Sequence, residues 1–154
     1  MNILIFSDTH GNTEDPIAII RQESMVNAII HAGDCEADAR VIQEAYPNIP
    51  VYSVAGNCDF LSHSPTELSF TLDGKKIFIT HGHTYNVKSS LSRILNKAAY
   101  EDYDLLVFGH THKSIIEYTG NAIVVNPGSI TGYPRPYAKA VIENGKLKVS
   151  IEEL

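Results

Sequence analysis

The sequence predicts an α/β fold, a two-sheet β-sandwich flanked by helices. Two observations lead there. Over residues 1–56 short apolar runs alternate with helix-period segments, the pattern of a parallel sheet wound with right-handed crossovers. From residue 67 onward β-runs come in pairs joined by tight-turn dipeptides, the pattern of hairpins. A chain of 154 residues can bury the core between two such sheets as one domain, 1–154, and no linker, repeat or low-complexity stretch divides it.

Each element has a local signature. "NILIFS" at residues 2–7 is a β-rich run, and "DPIAIIRQ" follows as a helix with Asp15 as N-cap and Pro16 at the first helical position. "NAIIHAG" at 27–33 reads as a buried strand, "ADARVIQEAY" at 37–46 as a helix stopped by Pro47, and "VYSVAG" at 51–56 as a third strand. "ELSFTLDGKKIFITHG" is a hairpin turning at Asp73-Gly74. "NVKSSLSRILNKAAYE" at 86–101 places Val87, Leu91, Ile94, Leu95 and Ala98 on one helical face. "YDLLVFG" is a further strand. Hairpins around Gly120-Asn121 and Asn144-Gly145 complete a half expected to be mostly antiparallel.

Charge and composition remove several function classes. The net charge is −6, which offers no basic footprint for a nucleic-acid backbone and no polybasic membrane patch, so neither partner is expected. No apolar run is long enough to span a bilayer, and no charged start leads into a long apolar stretch. Cys35 and Cys58 are the only cysteines and form no C-x-x-C pair, so both are expected as reduced thiols of a cytoplasmic protein.

Polar groups able to ligate metal recur where apolar runs stop. The first run gives way to "SDTHG" with Asp8 and His10, the second to "AGDC" with Asp34, and the third to "AGNCD" with Asn57. The hairpin's second strand ends in "THGH" with His81 and His83, and "DLLVF" ends in "GHTH" with His110 and His112. Ligands gather at the carboxyl ends of strands in open α/β sheets, so these groups are expected in one cleft. Imidazole and carboxylate suit first-row divalent metals. The donors exceed one ion's needs and fit two ions sharing a carboxylate at roughly 3.5–4 Å spacing. Such a centre would be net positive and would draw a phosphate group into an otherwise acidic protein.

In this order, D-x-H, GD, GN, HGH and GHTH resemble the calcineurin-like metallophosphoesterase superfamily, and more closely its small prokaryotic phosphodiesterase branch. The motifs run from residue 8 to 112, and "NPGS" at 126–129 extends the likeness over nearly the whole chain. The resemblance implies the αββα metallophosphoesterase fold and two divalent ions, with manganese expected first and nickel, cobalt, iron or zinc as alternatives. It assigns Asp8, His10, Asp34 and His112 to one ion, and Asp34, Asn57, His81 and His110 to the other. His110 and His112 would point the same way along extended backbone, each reaching a different ion. The implied reaction is in-line attack on phosphorus of a small phosphate ester by metal-bound hydroxide. Asn57 would also orient substrate.

One position departs from the family. Many relatives carry histidine after the GN pair, where it is thought to protonate the leaving group; here it is Cys58, followed by Asp59. Nearby cations would lower the thiol's pKa, and a thiolate gives no proton, so slow turnover of poor leaving groups is expected, with His83 as substitute acid. His31 reads as a packed residue, His63 as a solvated loop residue and Arg135 as exposed. A non-catalytic scaffold on the same fold, such as the retromer's metallophosphoesterase-like subunit, would be expected to lose ligands, and none is missing here. A phosphomonoesterase is the other alternative. The strand edges of the second half leave a homo-oligomer open.

Overall fold

The computed structural model describes residues 1–154 and contains two five-stranded sheets. The first sheet is built from β1 (Asn2–Phe6), β2 (Ala28–His31), β3 (Val51–Ser53), β9 (Pro136–Glu143) and β10 (Lys146–Glu153), in the order β10-β9-β1-β2-β3. The second holds β4 (Glu67–Leu72), β5 (Lys75–Thr80), β6 (Leu105–Val107), β7 (Ile115–Thr119) and β8 (Ala122–Asn126), in the order β4-β5-β6-β8-β7. Helices α1 (Glu14–Gln22) and α2 (Glu36–Ala45) cover the first sheet, and α3 (Ser92–Tyr100) covers the second.

Strand alternation builds these layers. Along β1, Ile3 and Ile5 face the space between the sheets, while Leu4 and Phe6 face Ile19 and Ile20 of α1 and Ile42 of α2. Along β6, Leu105 and Val107 enter the central core, while Leu106 meets Ile94 and Ala98 of α3. Both faces of each central strand are therefore buried, which is why these strands read as continuous apolar runs.

The expected sandwich is present, with three local differences. Antiparallel pairings predominate in the second half, as expected, but the centre of its own sheet is parallel. β5, β6 and β8 run parallel, with β4 and β7 antiparallel at the edges, and the last hairpin returns to the first sheet beside β1. A hairpin signal reports only its own two strands, and it says nothing about which sheet they join. Helix α1 starts at Glu14 with Thr13 as N-cap, so Asp15 and Pro16 lie inside the first turn. Asp15 instead accepts a bond from Arg135. Helix α3 starts at Ser92 rather than 86, because a 3-10 turn at His83–Tyr85 and Asn86 at φ 55° take the preceding chain through tight turns.

Candidate metal centre

The carboxyl ends of β1, β2, β3, β5 and β6 meet at one end of the sandwich, and each hands its loop to the same cleft. The loops are tightly wound. Asp8, His10, Asp34, His110 and His112 all have positive φ, between 45° and 68°. Left-handed backbone is costly for residues with a Cβ and persists where surrounding contacts over-determine it. The two histidines of GHTH therefore do not lie along extended backbone as expected. Each sits in a left-handed turn, with Thr111 between them.

The donors form linked groups. Asp8, His10 and His112 bring ligand atoms within 4.8 Å of one another, and so do Asp34, His81 and His110. His112 Nε2 lies 3.2 Å from Asp8 Oδ1 and 3.4 Å from His10 Nε2. His81 Nε2 lies 3.3 Å from Asp34 Oδ2, 3.1 Å from Asn57 Oδ1 and 3.9 Å from Asp8 Oδ1. Its other nitrogen, Nδ1, is 2.8 Å from the Ala32 carbonyl and can only donate there. Nε2 then faces three oxygen acceptors, an arrangement that either a proton on the ring or a cation shared with those oxygens satisfies. Asp8 gives a clearer sign of the cation. Its Oδ2 accepts bonds from Ser7 Oγ and the His110 amide, whereas the buried Oδ1 has no hydrogen-bond partner. A buried carboxylate oxygen left bare is costly, and a metal would satisfy it. The residues present fit a metal.

Electrostatics follow the same crowding. Burial works against charge on Asp34, but bonds from His81 and the Cys58 amide outweigh it and hold the carboxyl well below the usual range. Burial also opposes charge on His81, yet the Asp34 and Asp8 carboxylates raise its pKa. His110 and His83 are lowered, by burial first and then by His81. The protein's own groups push the Cys58 thiol up, by burial first and then through Asp34; the lowering expected from bound cations would act against this. Both cysteines are unpaired. Cys58 is exposed, with its Sγ near His10 and Asp34. His83 packs its ring 5.5 Å from His81 and 6.1 Å from His110 between centroids, and its buried Nδ1 has no partner.

Other histidines fall outside the cluster. His31 is fully buried, with Nε2 3.0 Å from Thr9 Oγ1 and Nδ1 accepting from the Gly33 amide. His63 is exposed.

Four residues hold the loops: Asn126 and Ser129 belong to the NPGS stretch, to which no such role was given, and Asp38 and Asp59 were given no role either. Asp59 accepts from the amides of Cys35, Glu36 and Gly56 at 3.1, 2.9 and 2.7 Å, capping α2 from another loop. Asp38, in the first turn of α2, accepts from Thr9 Oγ1 and the Gly11 amide at 2.6 and 2.8 Å, fixing the Asp8–His10 turn. Asn126, at the end of β8, donates to the Gly109 carbonyl and Thr111 Oγ1, bracing GHTH. Ser129 donates to the Asp8 carbonyl at 2.8 Å. Asp59 also had a local clue, as it stands three residues after a glycine in a turn. Close approach demands glycine at two positions. A Cβ on Gly56 would run into the Asp34 carboxylate, and one on Gly109 into the Ser7 hydroxyl.

A sandwich with His, Asp and Asn donors at its strand ends defines the metallophosphoesterase class, and the chain belongs to the calcineurin-like phosphoesterase superfamily, whose domain matches residues 1–144. It is 37% identical over 151 residues to a probable metallophosphoesterase of Bacillus subtilis, YsnB, covering 94% of this chain and 86% of that one. It is 31% identical over 150 residues to the phosphodiesterase MJ0936 of Methanocaldococcus jannaschii, covering 86% of each. Among solved structures, a predicted phosphoesterase from Streptococcus pneumoniae superimposes with a TM-score of 0.80 at 26% identity, over 99% of this chain and 88% of that one. Vps29 of Entamoeba histolytica, solved with zinc, has the same fold, with a TM-score of 0.79 at 20% identity and 99% coverage of both chains.

Proposed function

We propose that this protein is a phosphodiesterase that works with two divalent ions held at its strand ends. Asp8, His10 and His112 would hold one ion and Asn57, His81 and His110 the other, with Asp34 available to both. The observation that carries this reading is the buried Asp8 Oδ1, which has no hydrogen-bond partner and stands 3.2 Å from His112 Nε2 and 3.9 Å from His81 Nε2. Manganese is the first expectation, with nickel, cobalt, iron or zinc suited to the same donors. When bound, the ions would polarise the phosphoryl oxygens and make an attacking water acidic enough to act near neutral pH.

The chain's own groups set the rest. Asn57 turns its carbonyl oxygen toward His81; its amide nitrogen, which donates to Cys58 Sγ at 3.5 Å, has a second N–H to offer a phosphoryl oxygen. His83 stands beside His81 and His110 and is the imidazole placed to hand a proton to a leaving oxygen. Cys58, at the exposed side of the cleft, replaces the histidine of many relatives. Diesters with good leaving groups need that proton least, and the phosphodiesterase name of the 31%-identical archaeal relative supports the diester reading. The likeness to Vps29 is one of fold and does not favour a scaffold, because every expected donor is present.

The test is hydrolysis of bis-p-nitrophenyl phosphate by metal-stripped protein, with manganese, nickel, cobalt, zinc and magnesium added back singly, alongside Asp34→Ala. Activity restored by a transition metal in the wild type and lost in the variant supports the proposal. Bound metal without activity toward any diester contradicts it.

A further inference from the structure

A cavity of about 470 Å³ opens beside the GHTH turn. Its apolar lining is Leu91 and Ile115, with Val87 and Phe108 buried beneath, and Lys88 and Lys113 complete it with Thr111 and Ser114. Thr111, which separates His110 from His112, forms part of its wall, so the cavity adjoins the metal-ligand loop. That wall is fixed, since Thr111 Oγ1 accepts from both Asn126 and the Lys113 amide. The floor is fixed as well, with Val87 and Phe108 buried in the core against α3. Both lysines are exposed and neither pairs with a carboxylate, whereas Lys75, Lys97 and Lys139 all do. A preformed, half-apolar cavity of this size with two free cations suits a small organic anion better than water alone.

From this juxtaposition we infer that the cavity is the specificity subsite of the phosphodiesterase: it takes a flat apolar ester group that carries a second phosphate, of the kind a nucleoside bisphosphate presents. The inference rests on the phosphodiesterase reading of the adjoining centre. The scissile phosphate would sit at the strand ends, the ring would lie against Leu91 and Ile115, and the second phosphate would meet Lys88 and Lys113. Lysine suits that task as a flexible point charge.

Three p-nitrophenyl diesters separate the contributions: methyl p-nitrophenyl phosphate, the p-nitrophenyl ester of thymidine 5'-phosphate, and the 5'-p-nitrophenyl ester of thymidine 3',5'-bisphosphate. The expected kcat/KM rises in that order. The double variant Lys88→Ala/Lys113→Ala should lower the value for the bisphosphate ester about tenfold, as loss of charge-assisted contacts does, and leave the methyl ester within about twofold. Equal rates on all three esters, or a variant that changes all three alike, would overturn the subsite while leaving the diesterase reading intact. Failure of the wild type on every ester would instead count against the diesterase reading. The subsite is then judged by binding of thymidine 3',5'-bisphosphate, followed through backbone amide shifts. Shifts at residues 87–91 and 111–115 that disappear in the double variant support it, and their absence in the wild type overturns it.

Discussion

Replacing Asp59 by alanine should damage the centre without touching a proposed ligand. Its carboxylate receives three amides, from Cys35 and Glu36 at the start of α2 and from Gly56 in the turn after β3. Cys35 follows Asp34 and Gly56 precedes Asn57, so one side chain ties together the two loops that carry these groups. Hydrogen bonds to a charged group contribute about 1.5–3 kcal/mol each, and loss of an N-cap costs about 0.5–2 kcal/mol. The three bonds share one carboxylate that is half-exposed, so their loss is less than additive, and about 3 kcal/mol is expected for Asp59→Ala. Asp59→Asn keeps the shape and should cost about 1 kcal/mol, because its amide nitrogen cannot accept from Gly56. Urea unfolding measures both values, and a drop of 3 kcal/mol corresponds to roughly 6–12 °C in Tm for a domain of this size. Metal affinity, measured by calorimetry well below the melting temperature, should fall in the same order. If Asp59→Ala unfolds within about 0.5 kcal/mol of wild type, the distance-based account of this loop clamp is wrong.

Three further outcomes follow from the same contacts. His31 is buried and neutral, with its pKa lowered by burial first. The unfolded chain takes up a proton there below about pH 6.5 that the fold refuses, so stability falls as pH drops below that value, with a slope of up to about 1.4 kcal/mol per pH unit. Urea unfolding between pH 7.5 and 5.5 should show this slope reduced in His31→Gln, and parallel curves would refute the assignment. Gly109→Ala should cost about 1–3 kcal/mol in thermal melts, because its Cβ displaces Ser7 and breaks the 2.6 Å bond to Asp8. Cys58→His should raise hydrolysis of alkyl diesters with poor leaving groups at unchanged metal content. No gain in rate would sink the leaving-group explanation.

The donor set was legible because each donor sits within a few residues of the strand end that delivers it, in a short motif of uncommon composition. Strand existence was legible for a similar reason, since β1, β2 and β6 are apolar on both faces. What escaped the sequence acts at long range. Asp38 is an ordinary polar residue whose partners, Thr9 and Gly11, lie in another loop, and no local pattern marks it; Asn126 is marked by NPGS, but its partner Gly109 is not. Sheet order escaped for the same reason: the hairpin of β9 and β10 gives no sign that β9 will lie beside β1. The left-handed turns at His110 and His112 were read as extended, because a polar H-T-H stretch after a strand carries no glycine at the turning positions themselves. Those residues adopt positive φ under the demands of the cluster, which is where local propensity is expected to fail.

The central claim is that the strand ends hold two ions rather than one. Anomalous diffraction from crystals of manganese-loaded protein tests it directly. Two peaks are expected roughly 3.5–4 Å apart, one beside Asp8, His10 and His112, the other beside His81 and His110, with Asp34 between them. A single peak, or a pair lying away from these side chains, would contradict the two-metal account.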